Sequence, residues 1–298
     1  MPQHGPVEQY GPVNPYDMKF NDGPGKLLEG RVAVITGGGG GIGAAGAALF
    51  ARHGAKVVIA DIDPKLSDET VKEVRDAGGA IDSFVTDVRD NKQVLALRDK
   101  VLAKHGRCDV LVNNVGHWVA RVNTFLEGGP EHWDALHQTN LWHMFTVSHA
   151  FLPTMVEQKS GSIINVSSVE GLRGFPQDPV YGAYKAGVVH FTKCLAVQMG
   201  QHGIRVNGIG PDLCDSLQVP YIKNIPQGQG HLWPMWAPAG RMGIPDDQAR
   251  VLLFLASDLS VWVTGHTIPT DGGSGAAGGW FRSNSRPGRT WTNRPLNP

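Results

Sequence analysis

A doubly wound α/β fold built on a parallel sheet is what this sequence predicts, and two patterns predict it. Short apolar runs of strand length recur along the chain with helical stretches between them, the alternation that builds a sheet with helices on both faces. The runs are also apolar almost without interruption, as strands buried on both sides must be. Seven strands are expected, at Val32–Ile35, Val57–Ala60, Ser83–Val85, Val110–Val112, Ser162–Val166, Ile204–Val206 and His266–Ile268. Helices are expected up to about His53 and at Val71–Ala77, Lys92–Lys104, His132–Glu157, Gly182–Met199 and Asp246–Ala256.

The bulk properties bound the function. A chain of 298 residues suits one open α/β domain. Basic and acidic side chains balance at 27 each, so there is no electrostatic footprint for nucleic acid or an anionic membrane. Three widely separated cysteines, Cys108, Cys194 and Cys214, exclude a disulfide framework and fit a reduced, cytoplasmic setting. The polar start lacks a signal-peptide pattern, and apolar runs such as that from Val251 to Ala256 are too short to span a bilayer. Residues 1–29, with Pro2, Pro6, Pro12, Pro15 and Pro24, read as an irregular arm, and 30–273 as the catalytic domain. The tail, 274–298, carries Trp280, Phe281 and Trp291, aromatics expected to dock rather than stay in water.

The first strand runs into Thr36-Gly37-Gly38-Gly39-Gly40-Gly41-Ile42-Gly43 and then a helix. Glycines let backbone approach a pyrophosphate, whose charge settles at the helix N-terminus. Asp61 closes the second strand 18 residues after Gly43, followed by Ile62. A carboxylate there accepts from a ribose 2′-hydroxyl and repels a 2′-phosphate. With no Lys or Arg beside it until Lys65, NAD is expected over NADP. This is a Rossmann-type arrangement.

The spacing of Gly37, Gly41 and Gly43 behind Thr36 resembles the short-chain dehydrogenase/reductase family, and the resemblance extends over about residues 30–273. Asp87-Val88 stands where the family contacts adenine. Asn113-Asn114-Val115-Gly116 is similar to its Asn-Asn-Ala-Gly signature. Pro211 takes the place of a proline beside the nicotinamide, with Asp212 where a glycine is usual, and Ser216 that of a threonine on the cofactor. The resemblance implies strand order 3-2-1-4-5-6-7 and a dimer or tetramer, the homotetramer foremost, through the helices near 132–157 and 182–199, with Trp280 and Phe281 reaching a neighbour.

Tyr181-Gly-Ala-Tyr-Lys185 sets a phenol and an ammonium four residues apart, on one face of a helix. Ser168 lies 13 residues before Tyr181 and Asn140 upstream, at the family's spacing. The resemblance implies that Tyr181 exchanges the alcohol proton, Ser168 holds the reacting oxygen, Lys185 grips the nicotinamide ribose and Asn140 positions a water. A free phenol titrates near about 10, so work at neutral pH requires stabilising the phenolate, for which Lys185 and oxidised nicotinamide supply the right sign of charge. Tyr184, one residue from Lys185, is read as packing or a subunit contact. His132 and His137, five apart, suit no shared metal site, and none is expected.

The stretch 213–240 takes the place of the family's substrate lid. Its Tyr221, Ile222, Pro226, Trp233 and Trp236 suit a bulky hydrophobic or alicyclic substrate, such as a terpenoid, steroid or aromatic alcohol. His117, Trp118, Glu170 and Phe175 follow strand ends and are expected in the same pocket, with Arg173 as a possible carboxylate ligand. The leading expectation is an NAD-dependent alcohol dehydrogenase. A ketoreductase of biosynthesis or detoxification uses the same chemistry, and a non-catalytic NAD sensor is the reading from another class.

Overall fold

The structure is a computed structural model and describes Met18, residues 25–119, Val122, and residues 124–216, 219–224, 228–282 and 291–292. Most of the expected N-terminal arm, Pro226 of the lid, and the side chains of Ile222, Phe281 and Trp291 lie outside the described residues.

The seven-stranded sheet forms in the expected order, β3-β2-β1-β4-β5-β6-β7, and every pairing in it is parallel. Its strands are β1 (Val32–Thr36), β2 (Lys56–Asp61), β3 (Ala80–Val85), β4 (Val110–Asn113), β5 (Gly161–Val166), β6 (Ile204–Pro211) and β7 (Thr267–Thr270). Strand period divides the core in two. Ala33, Ile35, Val57 and Ile59 pack one way, against α1 (Gly41–Arg52), α2 (Pro64–Asp76) and, across the sheet, a helix at Pro245–Ala256. Val32, Val34, Val58 and Ala60 face α3 (Asn91–His105) and two later helices, His143–Gln158 and Pro179–Met199. The segment before β1 joins the first layer: Leu28 is fully buried and its N–H donates to the His53 carbonyl at 2.9 Å.

The single helix expected over 132–157 is three pieces. α4 (Pro130–His137) passes through a wide π turn, Gln138–Trp142, into α5 (His143–Gln158). Wide turns of this kind occur where a helix must deform around a functional side chain, and the buried residue of this one is Asn140. α6 (Pro179–Met199) follows β5 and carries Tyr181 and Lys185. The lid contributes two short helices, α7 (Tyr221–Asn224) and α8 (Trp233–Trp236), before α9 (Pro245–Ala256). After β7 come α10 (Ser274–Ala277) and an antiparallel pair, β8 (Phe281–Arg282) with β9 (Trp291–Thr292).

Because β1 pairs β2 on one side and β4 on the other, the chain reverses direction across the sheet there. That switch point opens a crevice outside the carboxyl ends of the strands, the usual ligand position in such sheets. Among the described residues, no helix is long and apolar enough to cross a membrane, and all three cysteines are free.

Candidate active site

A cleft of about 620 Å³ occupies the crevice. At its floor the β1–α1 turn is forced to be glycine. Gly37 and Gly41 adopt φ of +64° and +53°, which favour residues without a Cβ. At Gly43 a Cβ would collide with the Gly37 carbonyl oxygen, and at Gly38 with the Ile59 side chain. Gly43 therefore makes the turn close but does not itself line the cleft, unlike Gly37, Gly41 and Ile42. Gly40, the N-cap of α1, brings no side-chain acceptor, so the helix amides remain available to an anion. Asn114 stitches the turn to β4, its Nδ2 donating to the carbonyls of Thr36 (3.1 Å) and Gly37 (3.0 Å).

Asp61 faces the same cleft. Its oxygens accept backbone N–H groups of Gly39 (2.9 Å) and Asp63 (3.0 Å), which fixes the carboxylate and leaves lone pairs for a diol. Ile62, Asp87, Val88, Gly116, Pro211 and Ser216 line the cleft as expected. One cation there was not anticipated. Arg89 also lines it, and its guanidinium grips Asp87 with Nη2 at 2.7 Å and Nε at 2.9 Å, holding that carboxyl below the usual range. Its signal was its place two residues after Asp87, where the resemblance sets the adenine.

The catalytic set converges. Tyr181 and Lys185 project from the first turns of α6, whose start is capped by the Asp178 side chain accepting from the Tyr181 N–H at 3.1 Å. The other Asp178 oxygen meets His132 Nε2 at 2.9 Å, so α4 anchors the same corner. Ser168, Trp118 and Tyr181 line the same part of the cleft, and the Ser168 and Trp118 side chains both act on the phenol in favour of its charged form. Lys185 is 2% exposed. Its Nζ donates to the Val166 carbonyl at 3.3 Å and lies 5.7 Å from the Tyr181 ring centre. Gly116 allows this packing, since a Cβ there would stand 2.7 Å from Lys185 Nζ and 3.2 Å from Asn140 Oδ1. Asn140 clamps His117, accepting its N–H at 3.1 Å and donating to its carbonyl at 2.8 Å.

The electrostatics correct one expectation. Burial pushes the Tyr181 phenol up to about 12, against the opposing pull of the Trp118 and Ser168 side chains. Burial also lowers Lys185 to about 8. The ammonium therefore does not by itself make the phenol acidic, because the same apolar surroundings that bring the pair together disfavour both charges.

Asp212 is built into the wall. Its carboxylate accepts from Ser274 Oγ at 2.6 Å and pairs with Arg173 at 3.0 Å, and the left-handed residue of the turn is the next one, Leu213, at φ +47°. Arg173 also holds Glu170 at 2.8 Å, so it is already engaged by two carboxylates. His117, Trp118 and Glu170 line the cleft, and Phe175 packs 6.5 Å from Trp118 and 6.0 Å from Tyr181, ring centre to ring centre. The lid tryptophans do not line it. Trp233 is buried against Leu213, Tyr221 and Met242, and Trp236 is exposed beside it. The apolar wall comes instead from Val115, Leu213, Val219 and Tyr221. Hydrophobicity marked the lid, but not which of its faces turns inward. Tyr184 meets His137 with ring centres 5.4 Å apart and planes tilted by 41°, and it does not line the cleft.

Comparison with known proteins agrees with this geometry. Residues 37–275 match the family described as enoyl-(acyl carrier protein) reductase. The 3-oxoacyl-(acyl-carrier-protein) reductase FabG of Thermotoga maritima is 41% identical over 246 residues, which is 83% of this chain and 98% of the relative. Among solved structures, levodione reductase is similar with a TM-score of 0.79 at 31% identity, over 84% of this chain and 99% of that one. Carveol dehydrogenase from Mycobacterium avium, in complex with NAD, gives 0.77 at 28% identity over 84% and 99%.

Proposed function

The chain belongs to the short-chain dehydrogenase/reductase family, and from that premise we propose that it moves a hydride between NAD(H) and a bulky, hydrophobic secondary alcohol or its ketone. The coarser part needs no proposal: this is an oxidoreductase, of a family that uses nicotinamide cofactors.

One observation carries the reading. Ser168 and Tyr181, with Lys185 beneath the phenol ring, line the same cleft as the glycine turn. The turn suits a dinucleotide, since Gly37, Gly38 and Gly43 leave room only for bare backbone. The α1 amides would hold its pyrophosphate, Asp61 the adenosine ribose, Asp87 and Val88 the adenine, and Lys185 the nicotinamide ribose. Bound nicotinamide supplies the hydride acceptor or donor and, when oxidised, a positive charge. The protein supplies the proton path. In oxidation the Tyr181 oxygen takes the alcohol proton while Ser168 Oγ holds the substrate oxygen; in reduction Tyr181 returns that proton.

Asp61 favours NAD, since its fixed carboxylate would repel a 2′-phosphate, and Arg89 is already neutralised by Asp87. Trp118, Leu213, Val219 and Tyr221 make the substrate end apolar, and the named substrates of the levodione and carveol enzymes are in keeping with an alicyclic one. A second reading is reduction of a 3-oxoacyl thioester, which the Thermotoga maritima relative's name favours.

The test is a panel of cyclic and aromatic alcohols, the matching ketones and acetoacetyl-CoA, run with NAD(H) and NADP(H) and followed by absorbance of the reduced cofactor. Turnover of alicyclic or aromatic members, best with NAD(H), is expected, and Tyr181→Phe should reduce kcat by about 10²–10⁴, the usual worth of a general acid–base. Cofactor binding without turnover of any member would instead make the protein a nucleotide sensor.

A further inference from the structure

We propose that Asp212 is a positioning residue: through Arg173 and Glu170 its carboxylate ties the root of the lid to the turn that carries Ser168, and so sets the place of the reacting oxygen between Ser168 and the lid. This role rests on the oxidoreductase reading above and adds a part to it.

The bridge is short and continuous. Arg173 Nη2 stands 2.8 Å from Glu170 Oε1 and 3.0 Å from Asp212 Oδ2, so its two hydrogens serve one carboxylate each. Its Nε donates again to Glu170, to Oε2 at 3.3 Å. Asp212 is held from other sides as well. Ser274 Oγ, at the start of α10, donates to Oδ2 at 2.6 Å, and the Leu213 N–H donates to Oδ1 at 2.8 Å. Loops that follow three neighbouring strands, β5, β6 and β7, thus meet on one carboxylate. The side chains of Asp212 and Glu170 are only 9% and 15% exposed. The guanidinium between them offsets the repulsion that two such carboxylates would exert on each other.

Ser168 stands at one end of this bridge. Its Oγ accepts the Glu170 N–H at 3.1 Å, which leaves the hydroxyl hydrogen to be given to the reacting oxygen. The inner side of its turn is fixed against α6 at Gly171, where a Cβ would stand 2.6 Å from the Lys185 carbonyl oxygen. The outer side, from Glu170 to Arg173, is tied across to Asp212. At the other end stands Leu213, the first residue of the lid, left-handed at φ +47°. Ser168, Glu170, Asp212 and Leu213 all line the cleft. A substrate held between Ser168 and Leu213 therefore takes its place from the spacing that the bridge sets. Displacing a group that orients a reacting atom by about 1 Å costs on the order of 10² in rate.

The experiment measures the single-turnover rate of NADH formation from 1-phenylethanol and NAD at saturating alcohol. It compares wild type, Asp212→Ala, Arg173→Met and the double variant. Each single change should lower that rate by about 10- to 100-fold with the Kd for NADH unchanged. The double variant should be no slower than the slower single one, because both changes break one bridge. In a Ser168→Ala background, Asp212→Ala should cost less than about twofold, since the group it positions is gone. A rate that holds while the half-saturating alcohol concentration rises would make Asp212 a plain wall residue and overturn the proposal. Single effects that multiply in the double variant overturn it too, as does a full loss that persists without Ser168. Should Asp212→Ala fail to fold, Arg173→Met, at a side chain 42% exposed, carries the same expectations. Failure of wild type on 1-phenylethanol, cyclohexanol and their ketones alike removes the proposed function and this role with it. Wild-type turnover with an unchanged rate in Asp212→Ala removes the role alone.

Discussion

Lys185 pairs two demands that oppose each other. The proposed chemistry needs its ammonium under the phenol, and burial lowers the pKa of that ammonium to about 8. A lysine whose folded pKa lies below its unfolded value near 10.5 binds fewer protons in the native state. Stability then rises with pH between about 8 and 10.5, and the cost is fully present below pH 8. Lys185→Met should accordingly abolish turnover and raise unfolding free energy at pH 7 by at most about 3 kcal/mol, the linkage value of that shift. Urea titrations at pH 7 and 9.5 check this, with the gap between variant and wild type shrinking at the higher pH; a variant less stable at pH 7 contradicts it. Tyr181 has the opposite sign. A phenol raised from 10 to about 12 retains its proton in the fold after the unfolded chain has lost it, so it withdraws stability as pH climbs from 10 to 12. These single residues were the most legible part of the sequence, because Ser168, Tyr181 and Lys185 occur at a spacing that few chemistries require. What was not legible was their electrostatics. Sequence shows which charges are neighbours, but not how much water surrounds them.

Among elements, the β1–α1 turn constrains the chain most tightly. Gly43 lies behind the cleft, where a methyl group has no space against the Gly37 carbonyl and little against Asn114 Nδ2. Gly43→Ala must push Gly37 away from the position in which Asn114 holds it. Cofactor affinity should fall by at least about tenfold for a displacement that costs 1.4 kcal/mol or more of binding, while the sheet, whose packing does not use Gly43, still forms. Fluorescence titration with NADH measures the first and far-ultraviolet circular dichroism the second; an unchanged Kd would refute the steric account. Strands and helices at this scale were legible because apolar runs with the right period allow few other readings. The exceptions have physical causes. The π turn around Asn140 departs from an α-helix by one residue in hydrogen-bond register, a phase change too small to break an apolar run read as one helix. In the lid, Trp233 faces Met242 rather than substrate. Composition gives an indole's preference for burial and says nothing of which neighbour buries it.

For the molecule as a whole, what the chain leaves outside matters as much as its core. Val197 on α6 is 86% exposed, and Leu259, Val261 and Trp262, in the turn after α9, are exposed at 61%, 68% and 96%. The segments that carry them approach each other at Gly265, where an added Cβ would stand 3.6 Å from the Ala196 methyl. An indole left in water exposes on the order of 200 Å² of largely apolar surface, and contiguous patches of that kind mark association sites. The expected homo-oligomer therefore acquires a specific prediction. Wild-type chain should run above the mass of one 32.0 kDa protomer in light scattering at micromolar concentration. Trp262→Glu should move the distribution toward smaller species, because an unpaired carboxylate would have to be buried in the contact. Its fold should be retained, since Trp262 makes no part of either buried core cluster. A monomeric wild type, or a variant that assembles unchanged, would remove this junction as the interface and leave the exposed residues as ordinary surface. If assembly weakens while turnover persists in the smaller species, the cleft is complete within one protomer; if turnover is lost with assembly while the fold is kept, a neighbouring protomer contributes to it.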